Sequence, residues 1–217
     1  MKVLMILLLI VPFGLTIGQK IGELAPERPP EIFPNNAWGV DLMFCEGGFG
    51  LGTFLRKSLA TNLTGFIDLS FSETKDEREV DYVYYDYYGN PINYTPDKVN
   101  RAFQVPINFG VQYRLFSESL IENLRPYLTA GVGPTLIITT PYNQEFFKAF
   151  GSAQTKYAVG GYVGIGANMG ISKSNLVGLN VRYYYTYVFG DGIEILTNNL
   201  RKSFGQFALS LTVGIMY

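Results

Sequence analysis

The stretch that most constrains this chain is its last, Phe204 to Tyr217, reading FGQFALSLTVGIMY. Phe207, Leu209, Leu211, Val213, Ile215 and Tyr217 alternate with Gln206, Ala208, Ser210, Thr212, Gly214 and Met216. Successive side chains of a strand point to opposite faces, so this pattern predicts a strand with one apolar and one small or polar face. A soluble sandwich strand alternates in the same way. Length separates the two readings, because about 9–11 tilted residues cross a bilayer and most other apolar alternations in this chain are at least that long.

Those alternations define eight strands by their apolar faces. Strand one shows Trp38, Val40, Leu42 and Phe44, backed by Asp41 and Cys45. A turn is expected at Gly47-Gly48. Strand two, Phe49 to Arg56, is short, and Lys57 to Thr61 turns the chain. Strand three sets Leu63, Ile67, Leu69 and Phe71 against Thr64, Asp68, Ser70 and Ser72. The acidic and tyrosine-rich stretch from Glu73 to Asn100 reads as a long loop whose start continues strand three. Strand four alternates from Phe103 to Leu115, with Pro106 predicting a bulge or a break in the ladder. Strand five runs from Leu124 to Thr139, followed by a loop in which EFFKAFG suggests a helical turn. Strand six places Tyr157, Val159, Val163, Ile165, Met169 and Ile171 outward. Strand seven does the same with Val177, Leu179, Val181, Tyr183, Tyr185, Tyr187 and Phe189. The loop Gly190 to Ser203 leads into the last strand.

In lipid every backbone polar group must be paired within the protein, so spanning strands close into a barrel. The expected fold is therefore all-β: an eight-stranded antiparallel up-and-down transmembrane β-barrel over 37–217. Eight is an even count, and short turns alternate with longer loops. The chain holds sixteen Tyr and sixteen Phe, enough for aromatic girdles. Tyr113, Tyr183, Tyr185, Tyr187, Phe189 and Tyr217 lie toward strand ends, where girdles belong. The first segment has Lys2, an apolar run from Val3 to Val11, then Thr16 and Gly18 before Gln19. Residues 1–18 thus read as a secretory signal peptide, and 19–36 as a Pro-rich leader.

Asp41, Arg56, Asp68, Arg114, Arg125, Lys156 and Arg182 all fall on the face opposite the apolar one. An eight-stranded barrel is just wide enough for side chains to fill it, so these seven are expected to form a polar network in the lumen. At least one direct Arg–Asp contact follows, since unpaired buried charges are costly.

Net charge is −1, which excludes a basic nucleic-acid surface. There is no His, and so no ordinary general base. The single Cys45 excludes an internal disulfide. The glycine runs GGFGLG (47–52) and GGYVGIG (160–166) open no helix and so fail as phosphate loops. They read as small inward residues that give Tyr and Arg side chains room. The loop acids Glu73, Asp76, Glu77, Glu79 and Asp81 do not follow an EF-hand order. No enzyme, cofactor or metal is expected.

The signal segment, the eight strands and FALSLTVGIMY together resemble the small outer-membrane β-barrel proteins of Gram-negative bacteria, the OmpX/OmpW-like group. NLRPYLTAGVGP, GGYVGIGANMG and GLNVRYYY are similar to outer-membrane β-barrel domain proteins of Bacteroidota-like bacteria. The resemblance spans roughly residues 38–217. It implies export to the outer membrane and contact with its lipid and lipopolysaccharide. It also implies recognition of the C-terminal residues Phe207, Leu209, Leu211, Val213, Ile215 and Tyr217 by the barrel assembly machinery. Two roles follow from it: a structural or adhesive barrel with a filled lumen and an extracellular partner the residues do not name, or a channel or transporter for small or apolar molecules.

Overall fold

A strand that alternates lipid-facing and lumen-facing side chains must pair its backbone on both sides, and here that pairing runs full circle. The computed structural model describes residues 34–117, 124–169 and 174–217. The signal peptide, most of the leader, Ile171 of the sixth expected strand, and the rest of 118–123 and 170–173, with parts of two expected turns, lie outside them. In chain order the elements are β1 (Asn36–Cys45), β2 (Gly48–Ala60), β3 (Leu63–Thr74), β4 (Tyr82–Tyr85), β5 (Pro91–Tyr94) and β6 (Asn100–Arg114). After these come β7 (Leu124–Pro141), the single-turn helix α1 (Phe146–Ala149), β8 (Gln154–Met169), β9 (Asn175–Val188), β10 (Ile193–Leu196), β11 (Asn199–Arg201) and β12 (Ser203–Met216). The closed barrel runs β1-β12-β9-β8-β7-β6-β3-β2, antiparallel throughout. β1 and β12 form the seam between the two ends of the sequence, pairing from Ala37↔Met216 to Cys45↔Ala208.

Three local expectations are corrected. The first turn is Glu46-Gly47, because Cys45 pairs with Gly48 and leaves two residues between the strands. The second strand is not short. It continues to Ala60, since Lys57 pairs with both Asn36 and Gly65, and a register shift between Ser58 and Ala60 brings it to the turn at Thr61-Asn62. Polar Lys57 and Ser58 hide that continuation in the alternation. The third correction is the long loop, which contains the β4–β5 hairpin. Around Pro106 the ladder is interrupted on the β3 side between Leu69↔Ile107 and Ser72↔Gln104. It is interrupted again on the β7 side, between Pro106↔Thr135 and Phe109↔Val132. Register is the same before and after, so the proline breaks the ladder without a bulge. The helical turn expected in EFFKAFG is present as α1 and a following 3₁₀ turn.

The wall is apolar outside and polar inside. Val40, Leu42, Leu69, Phe109, Leu128, Val163, Leu179, Val181 and Leu209 are all exposed, while Asp41, Asp68, Asn108, Asn180, Arg182, Ser210 and Thr212 are buried. That inversion of the soluble pattern is what a barrel in lipid requires. Exposed aromatics gather toward the ends: Trp38, Tyr113 and Tyr217 near the chain termini, Tyr157, Tyr185, Tyr187 and Phe189 near the long loops.

Apolar side chains cluster toward both ends of the interior. Near the termini Ala37, Phe54, Leu176 and Met216 form one cluster. At the loop end Ile193 and Ile195 of β10 pack on Ala102, Ile137, Ala158, Val188 and Phe204. These five come from β6, β7, β8, β9 and β12, so β10 covers the barrel mouth.

Closed ladders have no edge to fray. The unboiled protein is expected to migrate differently from the boiled protein on a detergent gel. Val181→Arg, a charge placed on the lipid face of β9, is expected to cost about 2–4 kcal/mol if it sits near the bilayer midplane, measured by urea unfolding in liposomes. A cost near zero would place that face in water.

Candidate functional site

The lumen is built from the inward residues of the eight long strands. Arg182 Nη2 donates to Asp41 Oδ2 at 2.7 Å, across from β9 to β1. Thr212 Oγ1 donates to the other Asp41 oxygen, and Asn180 Nδ2 donates to Thr212 Oγ1 at 3.1 Å. Arg182 Nη1 also donates to Tyr184 Oη at 3.2 Å, and its guanidinium lies 5.0 Å from the Tyr162 ring centre. Asp68 has a different solution. It accepts from Asn108 Nδ2 at 2.9 Å and from Tyr162 Oη at 2.7 Å. One carboxylate is thus matched by a guanidinium and the other by two neutral donors. Toward the loops, Gln104 and Gln206 each donate to Ser72 Oγ at 3.3 Å, and Thr186 Oγ1 donates to Gln104 Oε1 at 3.1 Å.

Of the other four residues expected in the network, Arg56 lines a small cavity together with Asp68 and Arg182. Arg56 stacks over Phe54 at 4.1 Å and faces Tyr127 at 6.0 Å. Arg125 donates to Met216 Sδ at 3.7 Å from both terminal nitrogens, at the terminus end. Arg114 is half-buried at the same end of β6. Lys156 reaches up to the backbone carbonyl of Gly192, pinning the loop that carries β10. The seven residues therefore occupy several levels of the barrel instead of one cluster.

Two glycines show why the wall needs small residues. A Cβ at Gly166 would lie 2.7 Å from Tyr127 Cζ, and one at Gly164 would lie 3.1 Å from Arg182 Cγ. The inward glycines of β8 thus make space for large polar neighbours. Around Arg56, Asp68, Tyr127 and Arg182 a cavity of about 10 Å³ remains. That is room for one water at most.

Outside the wall, the loops form a second structure. Arg201 bridges Asp76 at 3.1 Å and Glu77 at 3.2 Å, and Asn199 Nδ2 donates to Asp76 Oδ2 at 2.8 Å. Lys98 pairs with Glu79, both side chains buried. Val99 N donates to Ile195 O and Thr197 N to Asp97 O, each at 2.8 Å. The loop after β3 is therefore locked to the loop before β12. Of the five acids weighed as cation ligands, Asp76, Glu77, Glu79 and Asp81 are each taken up by a basic side chain. Sequence reasoning missed this lock, because the residues that join the two loops are about a hundred residues or more apart.

The β4–β5 hairpin stands free, with every residue of both strands exposed. Its turn is preformed by Asp86, which accepts from Tyr88 N and Asn90 N at 2.8 Å and from Asn90 Nδ2 at 2.9 Å. Its base is held by Asp81, which accepts from Lys75 Nζ at 2.8 Å and Thr95 Oγ1 at 2.6 Å.

No protein-family model matches the chain, and no curated protein matches it. Among solved structures, the N-terminal β-barrel domain of Pseudomonas aeruginosa OprF is 14% identical, with TM-score 0.45, covering 86% of this chain and all of that one. Neisserial surface protein A is also 14% identical, with TM-score 0.46, over 84% of this chain and 96% of that one. The attachment invasion locus protein Ail of Yersinia pestis is 10% identical, with TM-score 0.42, over 84% and 97%. Likeness at this level carries no inference about what this chain binds.

The loop acids generate a pH dependence. Hydrogen bonds from Lys75 first and Thr95 second lower the Asp81 pKa below 3.8, and the Asn90 side chain does the same first for Asp86. A depressed carboxylate contributes order above its unfolded pKa and loses it as pH falls through the folded value. Pepsin cleavage within residues 80–96 is therefore expected to rise as pH drops below 3.8, with Asp81→Asn cleaved readily at every pH. Because pepsin's own activity varies with pH, the rate is read relative to Asp81→Asn at the same pH, and a ratio that stays constant would contradict this.

Proposed function

We propose that this chain is a non-enzymatic integral outer-membrane β-barrel protein, structural or adhesive, with a side-chain-filled lumen and loops that meet the cell exterior. The single observation that carries the reading is the lumen. It carries apolar clusters toward both ends, is crossed by the Arg182–Asp41 pair, and leaves a cavity of only about 10 Å³ around Arg56, Asp68 and Arg182. A chain with no His also lacks the usual general base. Residues 1–18 serve export in this reading. The outward row Phe207, Leu209, Leu211, Val213 and Ile215 on β12, with Tyr217 just beyond it, is the face offered to the assembly machinery. It stands on the seam strand, where Tyr217 N donates to Asn36 O at 2.9 Å. Outer-membrane lipid covers the wall, and lipopolysaccharide surrounds the loop end.

The alternative role, passage of small or apolar molecules, needs a continuous or laterally open lumen. The apolar clusters toward both ends argue against it.

Planar-bilayer recording of the refolded protein tests the proposal. Negligible steady conductance is expected. A large steady conductance, with ion selectivity that changes in Arg182→Ala, would overturn it in favour of a channel.

A further inference from the structure

Between the two locked loops lies a polar cleft of about 310 Å³, lined by Arg78, Tyr82, Asp97, Thr197 and Asn199 over an apolar floor that includes Leu196. Three ion pairs brace its surroundings: Lys75–Asp81, Lys98–Glu79 and Arg201–Asp76. Arg78 and Asp97 line the cleft itself, and neither has an ion-pair partner among the described residues. The cleft therefore presents one unpaired guanidinium and one unpaired carboxylate beside three braced pairs. Its rim is also conformationally fixed. Asp97 (φ 57°) and Asn198 (φ 58°) both hold left-handed backbone there, and the Asp97 carbonyl accepts from Thr197 N at 2.8 Å and Thr197 Oγ1 at 3.2 Å.

We infer that this cleft is a binding site for a neutral saccharide unit. Planar groups with two donors or two acceptors, such as guanidinium, carboxylate and amide, suit the paired hydroxyls of a sugar ring. The half-exposed Tyr82 supplies an aromatic face for the ring's C–H side. The free charges are one of each sign, so an anion meets Asp97 and a cation meets Arg78, whereas an uncharged polyol satisfies both. Bracing matters because a preformed site loses less freedom on binding. The site's biological use rests on the reading that these loops face outward, but the binding itself does not.

The test is saturation-transfer NMR on the full chain refolded in detergent micelles, with maltose, cellobiose and lactose as probes. Glucose 6-phosphate and phosphocholine serve as charged comparators. At least one neutral disaccharide is expected to bind. Tyr82→Ala and Asp97→Asn are each expected to weaken it about tenfold, the worth of one charged or stacking contact. Tyr87→Ala, at the exposed hairpin tip outside the cleft, should leave binding unchanged. All variants are first checked for heat-modifiable migration, so that loss of binding is not loss of the barrel. No binding by any neutral disaccharide, binding by a charged comparator alone, or binding indifferent to Tyr82→Ala and Asp97→Asn would each overturn the assignment. A conducting barrel would instead sink the functional proposal above and leave this site standing.

Discussion

A charge inside an eight-stranded barrel has almost no water to turn to, and that constraint organises this molecule. The interior is only wide enough for side chains, so each ionised group must find a partner or face a desolvation cost of several kcal/mol. Asp41 and Arg182 solve this as an ion pair between β1 and β9, with Thr212 and Tyr184 engaging further polar atoms. Asp68 solves it with Asn108 and Tyr162. The glycines opposite Tyr127 and Arg182 are the steric counterpart of the same constraint. Because β1 also forms the seam with β12, the Asp41 pair ties the first strand of the barrel to a strand beyond the seam.

The loops extend this logic beyond the membrane. β10 places Ile193 and Ile195 at the mouth, above the polar layers of the lumen. That strand is in turn held by Lys156 on Gly192, by Asn100 on the Glu194 carbonyl, and by the ladder contact of Lys98 with Leu196. On the proposed reading, the braced cleft and the exposed aromatic hairpin are the parts of the chain that meet a partner.

Much of the barrel was legible because period two admits little ambiguity over long runs. Leu179, Val181, Tyr183, Tyr185 and Tyr187 could only share a face, and Asn180, Arg182 and Tyr184 the other. Which Arg meets which Asp was not legible, since parity places a side chain inside but gives no height along the barrel. Arg125 and Asp41 share the inward face yet sit at different levels, and Arg125 meets Met216 instead. The end plugs were hidden for another reason. Ile137, Val188 and Phe204 are apolar residues on a polar face, and they make sense only once β10 covers them. The β4–β5 hairpin was obscured because residues on both its faces are aromatic or apolar and exposed, which erases the alternation that reveals a half-buried strand.

The central claim is that the lumen is a dry, paired core. A double-mutant cycle on Asp41 and Arg182 tests it most directly, with stability measured by urea unfolding in liposomes for Asp41→Leu, Arg182→Met and the pair together. If the core is dry, each single change strands a buried charge and costs about 3–5 kcal/mol. The double change then costs far less than the sum, a coupling on the order of 2 kcal/mol or more. Single changes that are nearly neutral and simply additive would mean that water reaches both groups, and the account of a filled barrel would be wrong.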